Sequence, residues 1–407
     1  MKKFHVVIIG SGFGGVFTAR HLKPLIESDI IEVTIINRTN YFLFTPLLHE
    51  VATGGLTPTS VIEPIRQIFR HENVEFIEDE VTTIDPIKKE VGTKTHIFSY
   101  DYLVVSSGAE TNYYGTPGAD KNAFTLKNLS DALALRHHLI TSCEKGALTE
   151  DRAERQKLLS CIVVGAGATG VELAAELIEF MKETLCSYYR SSGMSKDDMS
   201  VHLVAASPDL LSQFPQNLRV IAQKELEHDG VNVMVNMKVT GVEPGKIIFS
   251  DGKTLEGNTI VWVAGVKPSY IEIPGAPKEE KSGRIKINEF LQVVGMEHIF
   301  ALGDASGTLP MLAQVAVQQG KTAARNIIAD IEGQELTPFV FKEKGLLVSL
   351  GQWYAAGTIF GVTLKGPLMW FIWRTIYLFN FHSWRKRVKI ASEWTINLFY
   401  PRDISQF

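Results

Sequence analysis

Hydrophobic periodicity divides the chain into two similar halves. In the first, the run over residues 4–9, apolar but for His5, predicts a strand buried on both faces, and the three-to-four spacing of apolar positions over 16–22 predicts a helix. Residues 161–164 and 171–180 repeat that pair. Further along the first half, 33–36 reads as a second strand, 75–83 and 90–98 as antiparallel strands, and 102–106 as a buried strand ending at Ser107-Gly108-Ala109. The second half follows the same order, with a strand at 201–204, a hairpin of 231–242 with 246–249, and a strand at 259–263 ending at Ala264-Gly265-Val266. The run 299–304 has no counterpart, and we expect it to rejoin the first sheet.

Between strand and helix each half carries a glycine loop: Gly10-Ser11-Gly12-Phe13-Gly14-Gly15, and 155 residues later Gly165-Ala166-Gly167-Ala168-Thr169-Gly170. Such glycines permit the tight turn, let the backbone approach a pyrophosphate, and let the helix pack closely on the sheet, while helix N-terminal amides hold the negative charge. Two of them in one chain predict a flavin and a nicotinamide nucleotide. The expected fold is α/β, with two Rossmann-like dinucleotide-binding domains, the second inserted in the first, plus a C-terminal helical membrane-associating segment. The expected boundaries are 1–117 with 267–337 for the first domain, 118–266 for the second, and 338–407 for the C-terminal region.

Composition narrows the chemistry. At 407 residues and 45% hydrophobic the chain is globular. Cys143, Cys161 and Cys186 lack CxxC spacing and the 11 histidines are scattered, so no disulfide framework, iron–sulfur cluster or metal site is expected. Met1-Lys2-Lys3 and the apolar run after it imitate a secretory signal, but that run is too short and flows into the first loop, so a cytoplasmic-side N-terminus is expected. Charge is uneven. Residues 365–402 carry seven basic side chains against Glu393, a local +6 in a chain of net −4, which leaves the body at −10. The cations are interleaved with large apolar groups and no nucleic-acid module is visible, so the expected partner is an anionic lipid surface and not a nucleic acid.

The chain resembles the two-dinucleotide-binding-domain flavoproteins, and within them the type II NADH:quinone oxidoreductases. The resemblance rests on Asn40-Tyr41-Phe42-Leu43-Phe44-Thr45-Pro46-Leu47-Leu48 with Val51-Ala52-Thr53-Gly54, on Ala264-Gly265-Val266-Lys267, on Gly303-Asp304, and on Ala313-Gln314-Val315-Ala316-Val317-Gln318-Gln319-Gly320. It implies non-covalent FAD on the first loop, NADH or NADPH as co-substrate on the second, hydride transfer to the flavin, and electrons leaving to a membrane quinone without proton pumping. Disulfide reductases of this architecture place a cysteine pair near the flavin or the nicotinamide. This chain has no cysteine before Cys143 and none after Cys186, which argues against dithiol relay and sulfide:quinone chemistry.

The resemblance also implies site residues. For FAD these are Gly10, Gly12, Phe13, Gly14, Gly15, Asn37, Arg38, Thr45, Pro46, Leu47, Ser107, Gly108, Gly303, Asp304, Gln314 and Val315; for NAD(P)H they are Gly165, Gly167, Thr169, Gly170, Glu172, Ala205 and Gly265. Glu172, Gln314 and Gln318 are the expected catalytic groups. Asp304 is expected to accept from ribityl hydroxyls, with a helix N-cap near Ser306 as the alternative. Burial would raise the pKa of Glu172 and suit it to carrying a proton; a simple helix carboxylate is the alternative. Gln314 and Gln318, four apart, share a helix face and can both address a quinone, or be an ordinary polar face. Lys344-Gly345 matches a basic-glycine pair of the family. Two departures stand out: the acid that usually holds an adenosine ribose is replaced by Asn37 in the first half and by Ala205 in the second. Asn37 still accepts a hydrogen bond. Ala205 does not, and it removes the carboxylate that would repel a 2′-phosphate, so weak discrimination with NADH favoured is expected.

The apolar stretch from Leu368 is short and cut by Arg374, whereas a spanning helix needs roughly 20 apolar residues. It is expected to lie in the membrane interface, with Trp370, Trp373, Trp384 and Trp394 at headgroup level, making a peripheral, monotopic protein on the cytoplasmic face of the cell membrane. A buried domain contact or a homodimer interface is the alternative for this segment. Two rival functions remain: a soluble reductase of a small electron-carrier protein, and a flavoprotein redox sensor with negligible turnover.

Overall fold

The computed structural model describes residues 3–269, 271–359 and 361–406; Met1 and Lys2, which open the signal-like stretch, lie outside the described residues. The chain packs as two units.

The first unit comprises residues 3–43, 62–110 and 266–343 among those described. Its sheet runs in the order Gln292–Val293, Met296–Ala301, Tyr102–Val105, Phe4–Ile9, Ile31–Asn37, Val74–Glu78. Phe4–Ile9 pairs in parallel with Ile31–Asn37 on one side and Tyr102–Val105 on the other. Val6, Val7 and Ile8 are therefore fully buried, which is why this strand is apolar without a break from Val6 to Ile9. Ile299 and Ala301 pair in parallel with Leu103 and Val105, so the unmatched run does rejoin the first sheet. Helices Phe13–His21 and Ala313–Ile331 pack together. A side chain at Gly320 would meet the Gly14 carbonyl at 2.7 Å, so glycine sets how closely the two helices approach. Elsewhere Ile84 and Val91 of an antiparallel layer, formed by Val81–Asp85, Glu90–Thr93 and Ile97–Ser99, share a core with Val7, Ile9, Ile36 and Val105 of the sheet.

The second unit comprises residues 44–61, 111–265 and the described part of 344–406. Its parallel sheet runs Val231–Met234, Ser200–Val204, Ser160–Val164, Thr259–Trp262. An antiparallel layer, Val239–Glu243, Lys246–Phe249 and Thr254–Glu256, packs its Val242, Ile247 and Phe249 on Ile162, Val164 and Trp262. Helix Ala168–Glu179 follows the second glycine loop. A three-stranded antiparallel sheet, Leu346–Ser349, Ala355–Ile359 and Val362–Gly366, and helices Pro367–Phe379 and Trp384–Ile396 complete the unit.

Three expectations need correction. The strand 75–83 is two strands: Val74–Glu78 is the parallel edge of the sheet, and Asp79, whose carboxylate accepts from the Glu80 N–H at 2.7 Å, turns the chain into the antiparallel layer. The hairpin 231–242 likewise divides at Asn236, whose left-handed φ of 57° separates parallel strand Val231–Met234 from the true hairpin Val239–Glu243 with Lys246–Phe249. In both cases an edge strand of the parallel sheet and the first strand of the next layer read as one apolar stretch. As a packing unit, residues 44–61 and the described part of 344–406 group with the second parallel sheet and its helices.

The tail tryptophans are the third correction. Trp370 and Trp373 are 1% exposed and Trp394 5%; only Trp384, at 68%, faces out. Spaced three apart, Trp370 and Trp373 share the inward face of their helix, while Leu368, Phe371 and Phe379 lie exposed on it. Among the described residues no helix is long and apolar enough to cross a membrane.

Both glycine loops are held by the same close approach. Gly10 and Gly165 have φ of +95° and +114°, and a side chain at Gly15 or Gly170 would lie 1.9 or 1.8 Å from the carbonyl oxygen of Gly10 or Gly165. Gly15→Ala and Gly170→Ala should each cost about 2–4 kcal/mol in urea unfolding, since backbone and not a flexible side chain is in the way. An unfolding midpoint equal to that of the parent would contradict this packing.

Candidate cofactor sites and a buried carboxylate array

In the first unit the loop opens a cleft at the C-terminal ends of the strands, where doubly wound sheets bind ligands. Gly10, Asn37, Arg38, Asp79, Glu80 and Ser107 are among the residues lining it. Gly14 and Gly15 are buried, Phe13 is half-buried, and Gly12 is exposed. A side chain at Gly12 or Gly108 would meet nothing within 4 Å, so open space lies where a phosphate chain must approach the backbone. Asn37 organises this loop: its Oδ1 accepts from the Ser11 N–H at 3.3 Å and its Nδ2 donates to the Thr39 carbonyl at 2.8 Å.

Asp304 sits in the single turn Gly303–Ala305, half-buried. The next helix begins only at Ala313, which removes the N-cap alternative. Beside it is Arg284, which the sequence reading missed. Only 5% exposed, it donates to the carbonyls of Gly303 at 3.0 Å and Leu309 at 2.6 Å; burial lowers its pKa while the charge of Asp304 opposes that. Gln319 was missed as well: it is buried, and its Oε1 accepts from the Gly303 N–H at 2.7 Å. Only its place within the Ala313–Gly320 motif could have signalled it. Gln314 is half-buried and Val315 buried at the start of helix Ala313–Ile331. Gln318 binds Lys342 through both ends of its amide, donating to the carbonyl at 2.9 Å and accepting from the N–H at 3.1 Å.

The second loop repeats the first within its own unit. Gly167 is exposed with nothing within 4 Å of a side chain placed there, and Thr169 is exposed in the first turn of helix Ala168–Glu179. Ala205 is buried and its backbone is committed, the N–H donating to Met234 at 2.8 Å and the carbonyl accepting from Met237 at 2.9 Å. The Gly265 carbonyl accepts from the Asn112 N–H at 3.0 Å. Thr45, Pro46 and Leu47 form one turn of this unit, Thr45 exposed and Leu47 buried. Gly345 has a packing reason: a side chain there would lie 2.2 Å from the Thr358 carbonyl. The three cysteines are buried and burial pushes each thiol up, Cys161 to about 12, so they fill space and do not form thiolates.

Glu172 lies in a feature that the sequence reading saw only in part. Glu172, Glu176 and Glu179 occupy positions four and three apart on helix Ala168–Glu179 and so share one face, which points into the unit. His49 and Glu50 come from helix Leu48–Ala52, Arg374 from Pro367–Phe379, and Arg402 from beyond the last helix. Glu172 accepts from the Ser349 N–H at 3.1 Å and its other oxygen is 4.0 Å from His49 Nδ1. Glu50 accepts from the Trp394 indole at 2.6 Å. Arg402 binds Glu176 at 2.8 Å and Glu179 at 2.6 Å. The Arg374 guanidinium stacks 3.7 Å from the ring centre of Trp370 and 4.8 Å from that of Trp394. Two of the seven basic side chains assigned to a lipid surface are thus folded inward as counter-ions.

Four carboxyl groups facing two guanidinium groups in a dry interior cannot all ionise. Burial pushes Glu172 up to about 8, reinforced by Glu50 and Glu176 and opposed by the Ser349 N–H. Burial raises Glu50 and Glu179 as well, against the pull of Arg374 and Arg402 respectively. Burial also acts on Glu176, but Arg402, His49 and Arg374 reverse it and hold that carboxyl below its usual range. Burial drives His49 down to about 4, so its ring is neutral, and its Nε2 has no hydrogen-bond partner among the described residues. At neutral pH Glu172 is a buried acid that still holds its proton, which is the state a proton donor requires.

Residues 4–320 match the Pyridine nucleotide-disulphide oxidoreductase family, and residues 344–403 match the NDH2 C-terminal domain. The chain is 33% identical to the mitochondrial internal alternative NAD(P)H-ubiquinone oxidoreductase A1 of Arabidopsis thaliana, over all of this chain and 86% of that one. It is 32% identical to the type II NADH:quinone oxidoreductase of Staphylococcus saprophyticus, over 91% of this chain and 93% of that one. In fold it is similar to the solved structure of NDH2 from Plasmodium falciparum in complex with NADH, with a TM-score of 0.92 at 22% identity, covering 99% of this chain and 100% of that one.

The raised pKa of Glu172 makes stability depend on pH. In the unfolded chain the carboxyl ionises near its ordinary 4.5, in the folded chain near 8. The native state therefore binds more protons between those values, and the stability this carries, complete below about pH 4.5, is lost as pH rises through about 8. Glu172→Gln should flatten the fall of melting temperature between about pH 5 and about pH 8.5. An unchanged slope would mean that Glu172 ionises normally.

Proposed function

Because the chain belongs to the type II NADH:quinone oxidoreductase family of two-dinucleotide-binding-domain flavoproteins, we propose that it oxidises NADH or NADPH and passes the electrons through FAD to a membrane quinone without pumping protons. The observation that carries this reading is the pair of glycine loops with one geometry, each closed by a last glycine against the carbonyl of the first and left open at the middle one. Bound FAD supplies a two-electron carrier that accepts hydride and gives electrons to a quinone. In the first unit Gly10 to Gly15, Ser107, Gly108, Gly303 and Asp304 would hold it, with Asn37 shaping the loop; Arg38, Gln314 and Val315 complete the proposed set there. Gly165, Gly167, Thr169, Gly170 and Gly265 would hold the nicotinamide nucleotide.

Glu172 holds a proton in a site from which water is excluded, and a quinone needs protons as it gains electrons. Its proposed role is to supply one. Gln314 remains the candidate to hydrogen-bond a quinone carbonyl, whereas both ends of the Gln318 amide are committed to the Lys342 backbone. Ala205 offers a nucleotide ribose neither carboxylate nor cation, which supports acceptance of both NADH and NADPH.

The protein is peripheral to the membrane. The proposed contact is with anionic lipid on the cytoplasmic face, through exposed Leu368, Phe371, Phe379 and Trp384 and the basic groups Lys365, Arg385, Lys386, Arg387 and Lys389. The same apolar face could instead pair two copies of the chain.

Following flavin absorbance in detergent while adding NADH or NADPH and then a short-chain quinone tests the reaction. Bleaching followed by recovery over many turnovers is expected, with specificity constants for the two nucleotides within about a thousandfold, or about 4 kcal/mol. Bleaching without recovery would overturn the quinone assignment. Leu368→Ser with Phe371→Ser should release the enzyme from anionic vesicles while it keeps its flavin. Retention on vesicles together with dissociation of a dimer would assign this face to self-association.

A further inference from the structure

Arg402 lies outside every regular element, yet it is as buried as a core residue. Its Nη1 binds the Glu176 carboxylate at 2.8 Å and reaches the Thr53 carbonyl at 3.5 Å; its Nη2 binds Glu179 at 2.6 Å. Neighbouring contacts fix it there. The Thr53 hydroxyl donates to Glu176 at 3.3 Å, the Gln352 N–H donates to Glu179 at 2.6 Å, and the next residue's carbonyl, that of Asp403, accepts from Arg136 at 2.7 Å. One turn away on the same helix, Glu172 has the Ser349 N–H and His49 beside it and no cation within salt-bridge distance among the described residues.

This asymmetry decides where charge resides. Two carboxyl groups one turn apart in a dry interior repel when both are ionised, and the one with a bound cation ionises first. We infer that Arg402 is a positioning residue for Glu172: by pairing with Glu176 it maintains a negative charge one turn away, and that charge keeps the proton on Glu172. The inference rests on the role proposed above for Glu172 as a proton donor. The other titratable and charged groups facing Arg402 are Glu179 on the same helix, His49 and Glu50 on Leu48–Ala52, and Arg374 on Pro367–Phe379. Arg374 is stacked between two indoles, which leaves Arg402 as the cation in direct contact with Glu176.

The test compares Arg402→Met, Arg402→Lys, Glu176→Gln and the double variant Arg402→Met with Glu176→Gln, all as flavin-loaded full chains. The first readout is the infrared band of the protonated carboxyl that disappears in Glu172→Gln, followed against pH; the second is the pH profile of kcat with quinone. Arg402→Met should lower the midpoint of both by about one pH unit, because Glu176 then takes up a proton and its charge is lost. Glu176→Gln should shift them the same way, the double variant no further than either single one, and Arg402→Lys should restore most of the parent behaviour. Loss of melting temperature or of kcat with unmoved midpoints would reduce Arg402 to a structural brace and overturn the inference. So would additive shifts in the double variant. If the band moves as expected but the parent enzyme does not reduce quinone, the charge relation stands and the proposed function fails; if the parent turns over and the band does not move, the inference alone fails.

Discussion

In each unit the first turn of a helix rests on the carbonyl oxygen of a strand-end glycine, with less room between them than a methyl group needs. Everything that makes the units able to bind dinucleotides depends on that contact. It brings helix N-terminal amides to the C-terminal edge of a parallel sheet, where their partial positive charge is available to a phosphate. It also explains why the middle glycine of each loop faces open space although its neighbours are crowded. The same economy of side chains recurs at Gly320, where helix Ala313–Ile331 meets the carbonyl of Gly14.

The second unit carries a different burden. Its interior holds four carboxyl groups, and dry carboxylates are tolerated only with cations or protons. Arg402 and Arg374 supply two cations, the Trp394 indole and the Ser349 and Gln352 amides supply hydrogen bonds, and protons must make up the rest. An interior arranged in this way keeps Glu172 protonated where an exposed glutamate would be ionised. A buried acid of that kind suits the reduction of a quinone, which consumes protons.

Residues 365–402 illustrate how composition can mislead. Interleaved aromatic and basic residues describe a lipid-binding surface as well as they describe a core with buried counter-ions. Trp370, Trp373 and Trp394 go inward and take Arg374 with them, while Leu368, Phe371, Phe379 and Trp384 remain outside. Spacing along the helix, and not content, separates the two faces.

What the sequence by itself determined was local and periodic. The apolar runs at Phe4–Ile9 and Ser160–Val164, the glycines after them and the return of Met296–Ala301 to the first sheet were all legible, because burial on both faces and a left-handed turn leave few residue choices. The two divisions at Asp79 and Asn236 were not, since an edge strand and the next layer's strand have the same pattern and only the turn between them differs. Of the carboxylate array, Glu172 was legible from its place after the second loop, and the spacing to Glu176 and Glu179 was available. Their partners were not, because His49, Arg374 and Arg402 come from segments up to 230 residues away from these glutamates in the chain, and no local pattern records which charge a buried carboxyl will meet. That pairing is decided by tertiary structure alone, through the cost of leaving any of these charges dry and unpaired.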